Sequence, residues 1–99
     1  MTRTAAEFAR IYHSLDRVDW IRAGNCEVCG ASPCDNAHLV RIGGGVGRKG
    51  GYRGIGRLCP RHHREQHAIG SASFQRKYGL DFVEITERTQ REWEAYVGE

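Results

Sequence analysis

Apolar residues recur at intervals of three and four along the first part of the chain, the spacing that gathers side chains on one face of a helix. The residues that follow it are Phe8, Ile11, Tyr12, Leu15 and Val18. The pattern predicts a helix over residues 4–23, or two helices with a break near Ser14. We expect the apolar face to belong to the core.

The last third of the chain shows the same periodicity in two pieces. Ser71 and Asp81 can each cap the start of a helix, and Gly79 can end the first of them. On the longer piece, one face would carry Phe82, Ile85, Thr89, Trp93 and either Tyr96 or Val97. We expect this face to pack against the first helix.

The pattern changes in the middle of the chain. Residues 37–42 (AHLVRI) have a strand-like composition, and a second short strand is predicted over residues 55–58. Residues 43–57 hold eight glycines, which indicates a loop that is either flexible or held by a ligand. Pro60 suits the first turn of a helix, so residues 60–69 are predicted to be helical, with the helix ending at Gly70.

A chain of 99 residues suits one small domain over 1–99, with N-terminal helix (1–24), central core (25–70) and C-terminal helices (71–99). A domain this small often needs a metal or disulfides for stability. No apolar run approaches the roughly 20 residues of a membrane span, and the charged first residues do not resemble a secretory signal. We therefore expect a cytoplasmic protein without membrane contact, in which cysteines favour metal over disulfides.

Two pairs of metal-ligating residues have the spacing of a zinc site. Cys26 and Cys29 form a Cys-x-x-Cys-Gly motif, in which Gly30 lets the backbone fold so that its amides face the sulfurs. Cys59 and His62 form a second pair with the same gap of two residues. Together the two pairs would supply the four ligands of a tetrahedral Zn²⁺.

Cys34 leaves an alternative open. It can take the place of His62 as the fourth ligand, or it can be a buried free thiol. We favour His62, because the gap of two residues lets one turn present both ligands. The alternative to any zinc site is a set of ordinary buried cysteines.

Positive charge is concentrated in the middle of the chain. The net charge is only +3, but residues 41–64 contain six Arg, one Lys and no Asp or Glu. A local positive field of this kind attracts polyanions such as nucleic acids. The alternative is a solvated basic loop that acidic residues elsewhere balance.

A second histidine pair follows the predicted zinc ligands. His63 and His67 are four residues apart, so a helix would project both imidazoles from one face. Such a pair can chelate a divalent metal. It can equally be a solvent-exposed pair on a polar helix, and its position next to His62 favours the chelating interpretation.

These motifs occur in an order that resembles the HNH endonucleases, members of the ββα-metal (His-Me finger) nucleases. The resemblance covers residues 26–67 and runs through CEVCG, AHL, GGGVGRKG and LCPRHHREQH. It is strongest to small phage and prophage HNH-like nucleases with a zinc-stabilised finger. It implies an α+β fold: a zinc-stabilised ββα-metal finger of two short antiparallel strands and a helix, flanked by N- and C-terminal helices.

The resemblance also implies an activity, metal-dependent hydrolysis of DNA in a bacterial cytoplasm. His38 matches the general base, and His63 with His67 matches the ligands of a catalytic Mg²⁺, Mn²⁺, Ni²⁺ or Zn²⁺. Cys26, Cys29, Cys59 and His62 match the structural zinc ligands. The residues that would contact the DNA backbone are Arg41, Arg48, Lys49 and Arg53. Double-stranded DNA is the expected partner, and a homodimer would suit double-strand cutting.

The chain departs from the family pattern at two points. Ala37 occupies the position before the base, where many members have a metal-binding Asp or His, and no Asn matches the middle letter of the family name. Asp35 lies nearby, but strand alternation is expected to place it on the wrong or a shifted face. The catalytic metal would then have two protein ligands. A zinc-stabilised nucleic-acid-binding module without nuclease activity is the alternative.

Overall fold

The computed structural model describes residues 4–5, 15–41 and 51–98. The elements in chain order are α1 (Leu15–Ala23), β1 (Asp35–His38), a short 3-10 helix (Gly51–Gly54), β2 (Ile55–Leu58), α2 (Pro60–Ile69), α3 (Ser71–Tyr78) and α4 (Phe82–Gly98). This arrangement confirms the predicted α+β class, with two antiparallel strands followed by a helix. Within this part of the chain, no helix has the length and apolar character to cross a membrane.

The inward face of α1 differs from the predicted apolar face. Leu15, expected in the core, is 68% exposed, whereas Arg17 and Ile21 are fully buried. The Arg17 guanidinium lies 5.2 Å from the centre of the Tyr52 ring, and its Nη2 donates to Gln90 Oε1 at 3.2 Å. Tertiary partners therefore bring a charged side chain inward. The predicted positions at residues 8, 11, 12 and 14 lie outside the described residues.

The two strands form an antiparallel pair whose register brings the start of β1 close to the start of α2. Asp35 pairs with Leu58 and His38 pairs with Ile55. The first strand lies earlier than the predicted 37–42, because the amides of both Leu39 and Val40 donate to the Gly54 carbonyl, at 2.8 and 3.1 Å. Two amides converging on one carbonyl end the ladder at His38. The second strand is confirmed at its predicted position.

Side chains from the sheet, α3 and α4 make the core. Its central members include Ala37, Leu58, Phe74, Phe82 and Ile85, all buried. On α4 the predicted face is buried from Phe82 through Trp93, whereas Tyr96 and Val97 are 63% and 55% exposed. The helix packs mainly on the 3-10 segment and β2. It also meets α1 as expected, through the Trp20 and Trp93 rings 5.3 Å apart.

Helix ends follow most of the predicted signals. The α2 helix spans the predicted residues 60–69, and Gly79 ends α3 in the left-handed conformation with φ 65°. Asp81 Oδ1 accepts hydrogen bonds from the amides of Val83 (3.0 Å) and Glu84 (3.2 Å). The prediction for Ser71 was wrong: Gly70 is the N-cap of α3. The Ser71 hydroxyl instead accepts from Gln66 Nε2 at 3.1 Å.

Arg57 joins the end of α1 to the sheet. Its Nε donates to the Ile21 carbonyl at 3.0 Å and its Nη2 to the Trp20 carbonyl at 3.2 Å. The guanidinium also stacks 4.2 Å from the centre of the Trp20 ring. A cation at the carboxyl end of a helix satisfies its last carbonyls and interacts favourably with its dipole. Arg57 therefore fixes α1 on the strand that leads into α2.

We expect Asp81→Ala to lower the free energy of unfolding by about 1 kcal/mol, since α4 loses the side-chain cap of its first turn. Chemical denaturation at a fixed zinc concentration measures the change. Asp19→Ala removes an exposed aspartate within α1 and serves as the control. Equal effects of the two substitutions would contradict the capping role.

Candidate metal centres

The first cysteine pair lies on a tight turn between α1 and β1. The Gly30 amide donates to the Cys26 carbonyl and the Cys26 amide donates to the Ala31 carbonyl, both at 2.9 Å. Gly30 has φ 76°, a conformation that side chains with a Cβ rarely adopt. The Val28 amide points at Cys26 Sγ, 3.4 Å away. This is the knuckle geometry that the Cys-x-x-Cys-Gly motif predicts.

The second pair lies where β2 passes into α2. Cys59 has an extended backbone (φ −63°, ψ 162°) and precedes Pro60, the first residue of the helix. His62 follows within the first helical turn, so its Nδ1 lies 3.2 Å from Cys59 Sγ. The side chain of His62 is buried, and the edge of the Tyr78 ring packs against it with centroids 5.4 Å apart.

The two pairs come together at one point. The ligand atoms of Cys26, Cys29, Cys59 and His62 all lie within 4.8 Å of one another. Cys29 Sγ is 3.8 Å from Cys59 Sγ, and Cys26 Sγ is 3.7 Å from His62 Nδ1. A tetrahedral Zn²⁺ with ordinary bond lengths has S–S edges of about 3.8 Å and S–N edges of about 3.6 Å. The four residues therefore fit a zinc ion in both chemistry and size.

The surroundings favour a thiolate at Cys26. Burial by itself raises the pKa of this thiol, but backbone amides of Cys59, Cys29 and Val28 directed at the sulfur hold its pKa below the ordinary value. Amides that donate to the charged form stabilise it. Thiolate is the form that binds metal, so the backbone around Cys26 is arranged for a ligand.

Cys34 lies outside this cluster. Its Sγ donates weakly toward the carbonyls of Ala31 (3.4 Å) and Gly24 (3.5 Å), and the residue is buried. Burial, with the neighbouring Cys26 thiol, raises the pKa of Cys34 to about 11. Among the described residues, the group that could hold a metal ion is made of Cys26, Cys29, Cys59 and His62, and Cys34 is a buried thiol beside it.

A second polar group lies on the next residue of α2. His63 Nδ1 is 2.8 Å from the Oδ2 of Asp35 on β1. On the other side of the same ring, His63 Nε2 is 3.1 Å from His67 Nε2. The predicted histidine pair thus shares one face of the helix, and that face meets the start of the first strand.

Asp35, expected on the wrong or a shifted face of the strand, contacts His63 of α2 from that face. Alternation along β1 puts Asp35 on the same side as Ala37, two residues later, and opposite to His38. Ala37 points into the core, so the side chain of Asp35 leaves the strand toward α2.

His38 is the last residue of β1 and its side chain is exposed. A side chain of α2 binds the backbone of this residue: Gln66 Nε2 donates a hydrogen bond to the His38 carbonyl at 3.1 Å. Gln66 itself is buried and lies one helical turn after His62, which is also buried. The sequence did not identify Gln66 as a contact of the first strand, because a glutamine on a polar helix carries no motif or spacing that marks it as buried.

The predicted DNA-contacting residues are only partly described. Arg41 and Arg53 are both exposed, whereas Arg48 and Lys49 lie outside the described residues. A hydrogen bond from the Arg53 guanidinium to the Tyr52 side chain raises the pKa of Arg53, which therefore stays charged. Arg57 belongs to the same basic segment but is engaged with α1, and burial lowers its pKa.

Comparison with known protein families gave a match over most of the chain. A family model described as "Putative HNHc nuclease" matches residues 6–94, a range that includes the cysteine-rich cluster and the His63–His67 pair. No curated protein and no solved structure matches.

We expect purified protein to contain one zinc per chain and Cys29→Ser to lose it, because three ligands hold the ion much more weakly than four. Cys29 is exposed, so the substitution disturbs no packing. Structural zinc contributes on the order of 10 kcal/mol to the folding of small zinc domains. Even if the variant loses only ~2 kcal/mol of its free energy of unfolding, its Tm should fall by about 10 °C. Elemental analysis and thermal unfolding measure both effects.

Cys34→Ser is the matched control for that experiment. Serine preserves a donor toward the carbonyls of Ala31 and Gly24, so this variant should retain its zinc and respond to a chelator like the unmodified protein. Zinc loss from Cys34→Ser together with zinc retention in Cys29→Ser would contradict the ligand set.

Proposed function

The chain belongs to the HNHc nuclease family, and on that premise we propose that it is a metal-dependent DNA endonuclease or nickase. The observation that carries the proposal is the pair of His63 and His67 nitrogens, 3.1 Å apart, on the helix that follows the two strands. The exposed His38 at the end of β1 supports the same conclusion, since it supplies an imidazole at the strand end where the family resemblance places the base.

The histidine pair fits a divalent metal. Two imidazole nitrogens bound to one ion at 2.0–2.1 Å lie about 2.9 Å apart at a 90° angle and about 3.3 Å apart at a tetrahedral angle, and the two Nε2 atoms are separated by 3.1 Å. Nitrogen ligands favour Mn²⁺, Ni²⁺ or Zn²⁺ over Mg²⁺. When bound, such an ion would neutralise charge on the phosphate and stabilise the leaving oxygen. The proposed structural Zn²⁺ occupies the separate cysteine-rich cluster.

In this proposal His38 acts as the general base. Its neutral imidazole accepts a proton from a water molecule while the water oxygen forms a bond to phosphorus. The bond from phosphorus to the 3′ oxygen breaks, and that oxygen takes a proton from solvent. The products are a 5′ phosphate and a 3′ hydroxyl. The hydrogen bond from Gln66 to the His38 carbonyl limits movement of the base relative to α2.

The exposed arginines support a polyanionic substrate. Arg41 follows the first strand and Arg53 precedes the second, so both lie close in the chain to the strand ends at His38 and Ile55. Contacts of arginine with phosphate oxygens position nucleic acid without reading its sequence. We therefore propose double-stranded DNA as the substrate, bound through its backbone.

A second function is favoured by one observation. The side chain of Ala37 is fully buried in the core, so the position before His38 offers no ligand to a metal. A zinc-stabilised module that binds nucleic acid without cutting it would have this feature. It would show salt-dependent DNA binding and no cleavage by the unmodified protein with any divalent ion.

We expect the protein to nick or linearise supercoiled plasmid in Mn²⁺ or Mg²⁺, and His38→Ala to slow cleavage by ~10²–10⁴-fold, the usual contribution of a general base. Gel analysis of single-turnover reactions measures the rate. Because His38 is exposed and at a strand end, zinc content and thermal stability should not change. Cleavage by His38→Ala at the original rate would exclude its role as base, and cleavage by neither protein would favour the binding module.

We expect the double variant Arg41→Ala with Arg53→Ala to bind DNA more weakly and to reduce the slope of log K against log salt by about 2, since each phosphate contact contributes about 0.9. Fluorescence anisotropy at several salt concentrations measures this. The matched control changes Arg76 and Arg91, two exposed arginines outside the basic segment. Identical slopes for the two double variants would contradict a backbone contact by Arg41 and Arg53.

A further inference from the structure

We propose that Asp35 is a positioning residue for the proposed metal ligand His63: its carboxylate holds the ring so that Nε2, with the Nε2 of His67, faces the ion. The inference rests on the proposed function, because it concerns the same histidine pair. It adds a carboxylate that neither the family match nor the position of Ala37 would identify.

The fold delivers Asp35 to this position. The residue begins β1 and pairs with Leu58, the last residue of β2. The chain then passes through Cys59 into α2, and His63 lies one turn into that helix, where its amide bonds to the Cys59 carbonyl at 2.8 Å. Strand pairing on one side and the helix start on the other therefore set the 2.8 Å contact between Asp35 Oδ2 and His63 Nδ1.

The contact with the Asp35 carboxylate determines which ring nitrogen of a neutral His63 carries the proton. An ionised carboxylate only accepts hydrogen bonds, so the proton of neutral His63 must lie on Nδ1 and point at Asp35. The Nε2 atom then has a free lone pair, and it accepts from His67 Nε2–H across 3.1 Å. The nitrogen that His63 would offer to a metal is thus unprotonated before any metal arrives, whereas His67 would carry its proton on Nδ1 instead of Nε2 once it binds the ion.

Ligation of the same ion by Asp35 is a different role, which the geometry does not favour. Nδ1 and Nε2 lie on opposite sides of an imidazole ring. Asp35 contacts Nδ1 and His67 contacts Nε2, so an ion shared by the two histidines lies away from the carboxylate. A carboxylate behind a histidine ligand fixes its orientation and raises its basicity.

Stability alone does not account for the contact. The side chains of His63 and Asp35 are 22% and 42% exposed, and a single hydrogen bond this accessible to water contributes little to folding. Asp35 can therefore be replaced with little effect on unfolding. A loss of metal affinity in a stable variant would separate positioning from a structural role.

The first test reads the proton position directly. Long-range ¹H–¹⁵N spectra of the zinc-containing full chain, at a pH where imidazoles are neutral, distinguish the two ring nitrogens. We expect protonated Nδ1 and bare Nε2 for His63, and a shift of the proton toward Nε2 in Asp35→Ala. A proton on Nε2 of His63 in the unmodified protein would overturn the inference.

The second test measures Mn²⁺ binding from the loss of the free-ion electron paramagnetic resonance signal. We expect Asp35→Ala to weaken Mn²⁺ binding by about 10–100-fold, the usual effect of removing such a partner, with unchanged zinc content. Asp35→Glu should restore part of the affinity. Asp19→Ala removes the same charge from an exposed site on α1 and should bind Mn²⁺ like the unmodified protein.

The outcomes separate this inference from the proposed function. Equal Mn²⁺ affinity of Asp35→Ala and the unmodified protein, with plasmid cleavage in both, would overturn the positioning role and leave the nuclease proposal standing. Failure of the unmodified protein to bind Mn²⁺ beyond its zinc, together with failure to cleave DNA, would overturn both.

Discussion

The orientation of α2 depends on the cluster of Cys26, Cys29, Cys59 and His62. Adjacent residues of an α-helix point about 100° apart, so a fixed direction for His62 also fixes the direction of His63. The cluster holds His62 against the knuckle, with its ring nitrogen 3.2 Å from Cys59 Sγ. The helix can then present His63 and His67 only toward β1. A metal bound by this cluster would therefore also set the direction of the His63 and His67 side chains.

Other contacts maintain the same orientation along the helix. Asp35 bonds to His63 near the start of α2, and Gln66 bonds to the His38 carbonyl one turn later. On another side of the helix, Glu65 accepts hydrogen bonds from Lys77 and Tyr78 of α3. Both ends of β1 are therefore tied to α2, which places the proposed base and the proposed metal ligands on one rigid unit.

The sequence predicted what depends on local spacing. The knuckle, the Cys59–His62 pair, the bounds of α2 and the Asp81 cap each involve residues a few positions apart, and their geometry follows from a single turn. Three features depend on distant partners and were missed. Arg17 is buried because Tyr52 and Gln90 surround it. Arg57 belongs to the basic segment, but its guanidinium donates hydrogen bonds to carbonyls at the end of α1. Asp35 meets His63 only because β1 pairs with β2 in one register.

The burial of Ala37 is consistent with the proposed site, in which a carboxylate lies behind a histidine ligand and not beside the ion. The strand pair is tightly packed opposite Ala37: a Cβ added to its partner Gly56 would lie 2.5 Å from Leu39 Cδ1. With Ala37 itself in the core, a larger ligand at this position would have to displace core side chains. Asp35, two residues earlier on the same side of β1, leaves the strand where water still reaches it and contacts His63 Nδ1. In the proposed site, Ala37 supplies no ligand to the ion, and Asp35 instead orients the ligand His63. More coordination positions on the ion then stay open for phosphate and water.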